Sequence, residues 1–527
     1  MAALYSMPSI LTTYDQLPAN MQSFLLYQLL RRTPRPILQF ATQTMLPVLQ
    51  RDFVSELPVE VSHHILKFMD TRSLCRASCV SRRWQDVVNG DAKVWRARLS
   101  DARVLPPAQM QCRRADGACD GAGGRVAAHG PVPVPTNAFK EEFARDYVLD
   151  RNWHEGKCRH ISFVSEGGSV VTCVQLTDDY IIAGFDTKNI YVYDITTGAT
   201  VRQLVGHEGG VWALAVVGNT VISGSTDRTV RIWDLETGRC THVFAGHSST
   251  VRCLQVLLPT DTRTPLERAR NEPVRYEPSE PLIVTGSRDT TLRVWKLPSP
   301  TKDTPYVPRT GAEMPPPPRT NPYFMRVLEG HTDSVRAVAG FGNLVVSGSY
   351  DFAIRVWNVV TGQCLHVLEG HTAKVYTLAL DTNLHLVISG SLDGTIRVWD
   401  WDTGACVRIL RGHLTLVGLL ALDHNTLVSA GADATLRVWD HPMQQPMPTH
   451  HTNAITCFQH DGTKIVSGAD GTVKLWDVRT GAFVRDLLSG LSGVWQVRFD
   501  RRRCVAAVHR NDVSFFEVMD FGAEPEC

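Results

Sequence analysis

"LIVTGSRDTTLRVW", residues 282–295, decides the fold because it is one of six near copies in the chain. "TVISGSTDRTVRIW" ends at Trp233, "LVVSGSYDFAIRVW" at Trp357, "LVISGSLDGTIRVW" at Trp399, "TLVSAGADATLRVW" at Trp439 and "KIVSGADGTVKLW" at Trp476. In each copy an Asp precedes the Trp by six residues. Gly-His pairs end at His207, His247, His331, His371 and His413, and His451 fills the slot without its Gly. A period near 40 residues with Gly-His early and Trp-Asp late is the signature of propeller blades. The His, the turn Asp, a strand Ser and the Trp N–H can satisfy one another as a buried polar network. They are expected to be structural, not catalytic.

Two degenerate copies flank the six. "VVTCVQLTDDYIIAGFDTKNIYVYD" reads as a first blade, with Asp186 and Tyr193 standing in. "GVWQVRFDRRRCVAAVHRNDVSFFEV" supplies only three strand patterns, and a blade needs four. "HISFV" (160–164) is expected to supply the fourth and close the ring, leaving no open edge. The count is eight blades over residues 158–518. Two Pro-rich, charged insertions stretch the period to 62 residues from Trp233 to Trp295 and again from Trp295 to Trp357. Both belong to blade three, emerge on one face of the ring and are expected to be mobile.

Residues 10–50 read as helices with Phe24, Leu25, Leu29 and Leu30 on one apolar stripe, broken at Pro34 and Pro36. So short a segment buries little alone and needs a partner. Residues 53–99 read as a group of three helices, opened by "SELP". They carry more apolar side chains than so small a core can cover, and Cys75 and Cys79 are expected in that core. Residues 101–135 are a Gly-, Ala- and Pro-rich linker, and helix resumes in a connector at 136–157. Cys112, Cys119 and His129 in the linker match no zinc spacing, so no metal and no cofactor are expected.

Net charge is +1 in 527 residues, which provides no global basic field for nucleic acid. No apolar run reaches the ~18 residues a membrane span needs, and the N-terminus has no secretory pattern. The 13 cysteines form no CxxC pair, which fits a reducing compartment, nuclear and/or cytoplasmic.

Function is expected where the repeat breaks its own register. Before the Asp the copies read Thr226, Arg288, Tyr350, Leu392, Ala432 and Ala469. Five residues after the His they read Trp212, Arg252, Arg336, Tyr376 and Gly418, with Thr456 after His451. Both positions open on one face at the mouth of the central channel. Arg252, Arg288 and Arg336 should therefore converge there, flanked by Trp212, Tyr350 and Tyr376. Three cations without an acid fit a phosphate dianion, whose oxygens match guanidinium forks. The arginines two before each Trp (Arg231, Arg293, Arg355, Arg397 and Arg437, with Lys474) recur and read as solvated or blade-bridging.

Residues 53–99 resemble an F-box and 158–518 a WD-repeat propeller, while "YDQLPANMQSFLLYQLLRRTPR" resembles the dimerisation segment preceding some F-boxes. With "SSTVRCL", "SGSRDTTLRVW" and "SGSYDF", the whole is similar to the cell-division-control type of F-box/WD-repeat protein. The resemblance implies a non-catalytic substrate receptor of a Skp–cullin–F-box ubiquitin ligase. It makes Arg252, Arg288 and Arg336 the binders of a phosphothreonine in a Thr-Pro degron, assisted by Ser249, Thr250 and Tyr350. Trp212 and Tyr376 would border the proline, and Arg228 and Arg510 could meet a second phosphate. Leu57, Pro58, Ile65, Leu66, Leu74, Val80, Trp84 and Trp95 would hold the F-box or face the Skp-type adaptor. Homodimerisation, phosphorylated protein clients and the adaptor with its cullin are the implied partners. The alternatives are a WD-repeat scaffold and a receptor for a non-phosphorylated client.

Overall fold

The structure is a computed structural model that describes residues 7–49, 52–103, 137–166, 170–263, 267–268, 270, 272–299, 303–307, 321–423, 426–440 and 451–522. The chain divides into two compact units, Met1–Asp146 and Tyr147–Cys527. Most of the expected linker, with Cys112, Cys119 and His129, lies outside the described residues.

The first unit is helical. Three helices precede the F-box region where the sequence suggested two: Met7–Asp15, Ala19–Arg32 and Arg35–Leu49. None of the residues of Ala19–Arg32 is buried, and Phe24, Leu25 and Leu29 are exposed. The F-box region also has more pieces than the three helices expected: Phe53–Glu56, Val59–Leu66, Thr71–Ala77, Arg82–Gly90 and Ala92–Arg103. Pro58 caps the second piece, where its missing N–H costs no helical bond. Leu66, Leu74, Ala77, Val88 and Trp95 form the core, with Phe139 and Phe143 packed against it. Cys75 and Cys79 are exposed, contrary to expectation, because Leu74 and Ala77 take the inward side of their helix.

The second unit is the eight-bladed propeller. Seven sheets have four strands and blade six has three among the described residues. Arg159–Val164 pairs antiparallel with Val513–Asp520, so the two ends of the propeller chain close the ring as the sequence suggested. Trp153 stacks on Phe521 at 3.8 Å and donates from Nε1 to the Arg501 carbonyl, anchoring the end of the Ala138–Glu155 helix to blade eight.

The polar network forms in blades two to six. In blade two, His207 Nδ1 lies 2.7 Å from Asp227, its Nε2 lies 2.7 Å from Ser223, and Trp233 donates to the same hydroxyl at 2.8 Å. Thr285 replaces the Ser in blade three. Blade seven departs: His451 reaches Ser467 at 2.7 Å, but its Nδ1 is buried without a hydrogen-bond partner. The cause is legible in "KIVSGADGTVKLW", which is one residue shorter than the other copies and draws Asp470 away.

The blade-three insertions are more ordered than expected. The first forms a hairpin, Thr260–Asp261 against Tyr276–Glu277. In the second, Tyr306 bridges to His242, covering the outer edge of blade two. Residues 308–320 lie outside the described residues.

Candidate functional site

Each blade joins its second and third strands by the Ser-x-Asp turn and enters its first strand from the Gly-His loop. A backbone bond ties the two. Arg288 N–H donates to the Thr250 carbonyl at 2.9 Å, and Tyr350 N–H to the Ser334 carbonyl at 3.0 Å. Ser287 Oγ also donates to the Ser249 carbonyl at 3.1 Å. The register-breaking side chains are thus held two residues from the first-strand position that carries Arg252 and Arg336. Ser249 and Thr250 act in this frame through their backbone carbonyls.

Arg252, Arg288 and Arg336 are brought together. Arg252 is held below the usual guanidinium range, first by burial and then by the charges of Arg336 and Arg288. No carboxylate lies within ion-pairing distance of any of the three among the described residues. The Arg252 guanidinium lies over the Trp212 ring at 4.7 Å, a cation–π contact that orients it. Tyr350 and Tyr376 pack at 5.2 Å. Burial, then Tyr350, raises the Tyr376 phenol above its usual range, so it remains a neutral donor.

Two sequence-derived positions differ from these. Arg228 sits exposed in its turn with φ 69°, a conformation shared by Thr290, Phe352 and Ala434 in the same slot. Arg510 lies 2.9 Å from Glu517, a carboxylate that is 0% exposed and also 2.8 Å from His160. Its charge is already matched.

Lys374 was missed. Three residues after each His the copies read Gly210, Thr250, Ser334, Lys374 and Leu416, so the same register rule finds it. Its ammonium lies 4.6 Å from the centre of the Tyr350 ring, adding a cation to the rim. Phe352, Leu392 and Leu414 are exposed apolar residues in the loops and turns of this face and were also not singled out.

The recurring arginines are partly solvated and lie against the loops that join one blade to the next. Each is half-buried beside the Gly of Gly-His. A Cβ on Gly206 would lie 2.7 Å from an Arg231 nitrogen, and one on Gly412 would lie 2.7 Å from Arg437. The Gly of each pair is therefore space for an arginine. Blade seven, with His450 in place of Gly, has Lys474 in place of Arg.

In the helical unit, Leu66, Leu74 and Trp95 are buried. Trp84 is half-buried and donates to Asp52 at 2.6 Å, and Leu57 is half-buried. Pro58, Ile65 and Val80 face outward, with Val80 64% exposed. Among the described residues no group of His, Cys, Asp or Glu is arranged to hold a metal, and no helix is long and apolar enough to cross a membrane.

The comparisons agree with this geometry. Residues 54–99 match the F-box-like family. Six segments between 198 and 477 match the WD domain, G-beta repeat; the first and last blades, which lack the Trp-Asp signature, do not. The chain is 39% identical to cell division control protein 4 of Candida albicans over 95% of this chain and 72% of that one. It is 36% identical to the WD repeat-containing protein pop1 of Schizosaccharomyces pombe over 99% of this chain and 67% of that one. A computationally designed protein, Ika8, matches with TM-score 0.55 and 30% identity over 68% of this chain and 98% of its own. The chain belongs to the cell-division-control group of F-box/WD-repeat proteins, the non-catalytic substrate receptors of Skp–cullin–F-box ubiquitin ligases.

Proposed function

We propose that the propeller captures phosphothreonine-proline degrons and presents their bearers for ubiquitination and degradation. One observation carries the reading: Arg252 feels the charges of both Arg336 and Arg288, and the three lack a carboxylate among the described residues. Uncompensated cations in a partly desolvated mouth are costly unless an anion offsets them, and a phosphate takes several guanidinium forks at once. Thr250 and Ser249 frame the site, and Tyr350 supplies a hydroxyl. Trp212 and Tyr376 offer faces for the proline and apolar residues. Arg228 is placed for a second phosphate.

The outward residues Pro58, Ile65 and Val80 serve as the Skp-type adaptor surface, through which the cullin is engaged. The exposed stripe of Phe24, Leu25 and Leu29, with Leu30, pairs with a second copy. Leu25→Asp with Leu29→Asp should give a monomer by sedimentation that still binds phosphopeptide, and a monomeric wild-type chain would remove the dimer. The receptor acts in the nucleus and/or cytoplasm. The deciding experiment titrates the full chain with a phosphothreonine-proline peptide and its unphosphorylated twin. Equal affinity would favour a receptor for a non-phosphorylated client.

A further inference from the structure

The register of the repeat also breaks on the face opposite the arginines, and there the breaks surround a cavity of about 220 Å³. Two residues after the Trp, blades two, three, four and seven carry Leu235, Leu297, Val359 and Val478, while blade five carries Trp401 and blade six His441. The first turn of blade five is lengthened to "DTNLHL" and ends on His385 with φ 57°. His385 stacks on Trp401 at 4.9 Å and bonds Asp402 at 2.8 Å. From the other side comes the blade-three hairpin. Thr262 lies so close to the blade-four turn that a Cβ on Gly342 would meet it at 2.7 Å. Three departures from the repeat, two in blade five and one in blade three, thus share one cavity with the blade-four turn between them.

Its chemistry is that of an acceptor. Glu277 brings a carboxylate, and Leu365 and Trp401 bring apolar walls. Asn343 Oδ1 is buried there without a hydrogen-bond partner. In blade two the matching Asn219 donates from its amide nitrogen to Asp234 at 2.9 Å; in blade four Asn358 stands in place of that Asp, and its oxygen already accepts from Val360 and Thr361. No lysine or arginine lines the cavity among the described residues. Its volume suits one side chain and is below that of a drug-sized ligand site. A flat cation with several N–H donors satisfies all of this at once. It can donate to Glu277 and to the orphaned Asn343 oxygen, with the exposed edge of Trp401, a ring 6% exposed and already stacked on by His385, as an apolar wall. Arg275, itself exposed, already lies 3.5 Å from Glu277 and donates to Thr262 at 3.3 Å, a pair of little strength that a guanidinium in the cavity would displace.

We propose that this cavity is a second recognition site, which takes the guanidinium side chain of an arginine on a protein docking to the face opposite the arginine mouth. The probe is capped arginine, with capped citrulline as its uncharged counterpart, titrated into the full-length protein by ligand-observed NMR. Capped arginine should bind at roughly millimolar strength and citrulline at least about tenfold more weakly, since citrulline lacks the charge. Glu277→Gln should lose about tenfold or more, and Trp401→Leu, which removes the wall and the His385 stack, a smaller factor. Leu is the residue blade two carries in that slot, so the second variant is expected to fold. Arg275→Ala, which removes a competitor, should tighten binding. Phosphothreonine peptide titration of the same samples reports whether the propeller is intact and whether the opposite face is untouched. Equal binding of arginine and citrulline, or wild-type binding by Glu277→Gln with phosphopeptide affinity unchanged, would overturn the proposal.

Discussion

Two sets of arginines lie on the same eight-bladed scaffold and have opposite surroundings. Arg231, Arg293, Arg355, Arg397 and Arg437 occur once in each of blades two to six, each wedged beside a Gly that leaves it room, and in blades four and five close to the blade Trp. Arg252, Arg288 and Arg336 occur at positions where other blades place Trp, Thr, Leu, Ala or Gly, and they converge at one mouth. Repetition marks the first set as structure: the same contact is made in five places. Departure singles out the second as the candidate site, because the blade repeat itself does not call for a cation there. The difference teaches that charge alone does not identify a site in a repeat protein. Position relative to the period does.

The largest expected effect tests the second set. Arg288→Ala should weaken phosphothreonine-peptide binding by roughly ten- to a hundredfold, since a charged hydrogen bond contributes roughly 1.5–3 kcal/mol. Folding should be unaffected, because Asp289 keeps its bonds to His247 and Thr291 without the arginine. Arg288→Lys should recover part of the loss, as it keeps the charge and not the fork. Calorimetric titration decides; unchanged affinity in Arg288→Ala would break the comparison.

Blade seven offers a sharper test of what the first set and its histidine network stabilise. His451 is buried, lacks the Asp its equivalents have, and its imidazole is pushed down to about 4 by burial and by Lys474. An unfolded histidine titrates near 6.5. Between those values the unfolded chain holds the extra proton, so the stability present at pH 7 is lost progressively as pH falls through this window. His207, His247, His371 and His413 are also lowered by burial, but each has an Asp that opposes the shift. Amide exchange of Lys464–Ala469, corrected for intrinsic rates, should therefore rise at pH 5 before that of Leu386–Ser391 in blade five. Simultaneous loss of protection in both would contradict it.

Arg437→Ala should show the converse of Arg288→Ala. It removes packing beside Gly412, costing about 1 kcal/mol and about 2 °C in Tm, with phosphopeptide affinity unchanged. A loss of affinity comparable to that of Arg288→Ala would erase the distinction between the sets.

The propeller was legible because its period repeats six times in sequence, and even the closing strand at 160–164 followed from a missing fourth strand. The convergence of Arg252, Arg288 and Arg336 followed from the same register. What the sequence hid depends on contacts between positions far apart. The pairing of Arg510 with Glu517, the docking of the blade-three hairpin on Gly342 and the packing of arginines over Gly-His are of this kind. Lys374 lies in the Gly-His loop, outside the two register-breaking positions, and only its contact with the Tyr350 ring of the neighbouring blade reveals its place. The helical unit was less legible because short helices have no repeat to calibrate them. There Cys75 and Cys79 at helical spacing suggested burial that Leu74 and Ala77 already supply.

Arg510 gives the smallest expected effect and the finest test, because it falls in neither set. Its slot breaks register, as a binding arginine should, yet it has what the converging three lack: a buried carboxylate at 2.9 Å. His160, from the strand that closes the ring, approaches the same Glu517 at 2.8 Å, so the pair belongs to the seam between the two chain ends. A phosphate arriving at Arg510 would have to share it with an anion that has no water to turn to, and breaking such a pair is costly. Arg510→Ala should therefore change affinity for a doubly phosphorylated peptide by less than about threefold, under about 0.7 kcal/mol. It should lower Tm, because Glu517 is left buried with only His160 and the Ser162 hydroxyl beside it. Arg228→Ala, at an exposed turn without such a carboxylate, should cost more with the doubly phosphorylated peptide and nothing with the singly phosphorylated one. Should Arg510→Ala instead lose tenfold or more on the doubly phosphorylated peptide alone, a carboxylate partner would not disqualify an arginine from phosphate binding, and the distinction between the two sets would rest on register only.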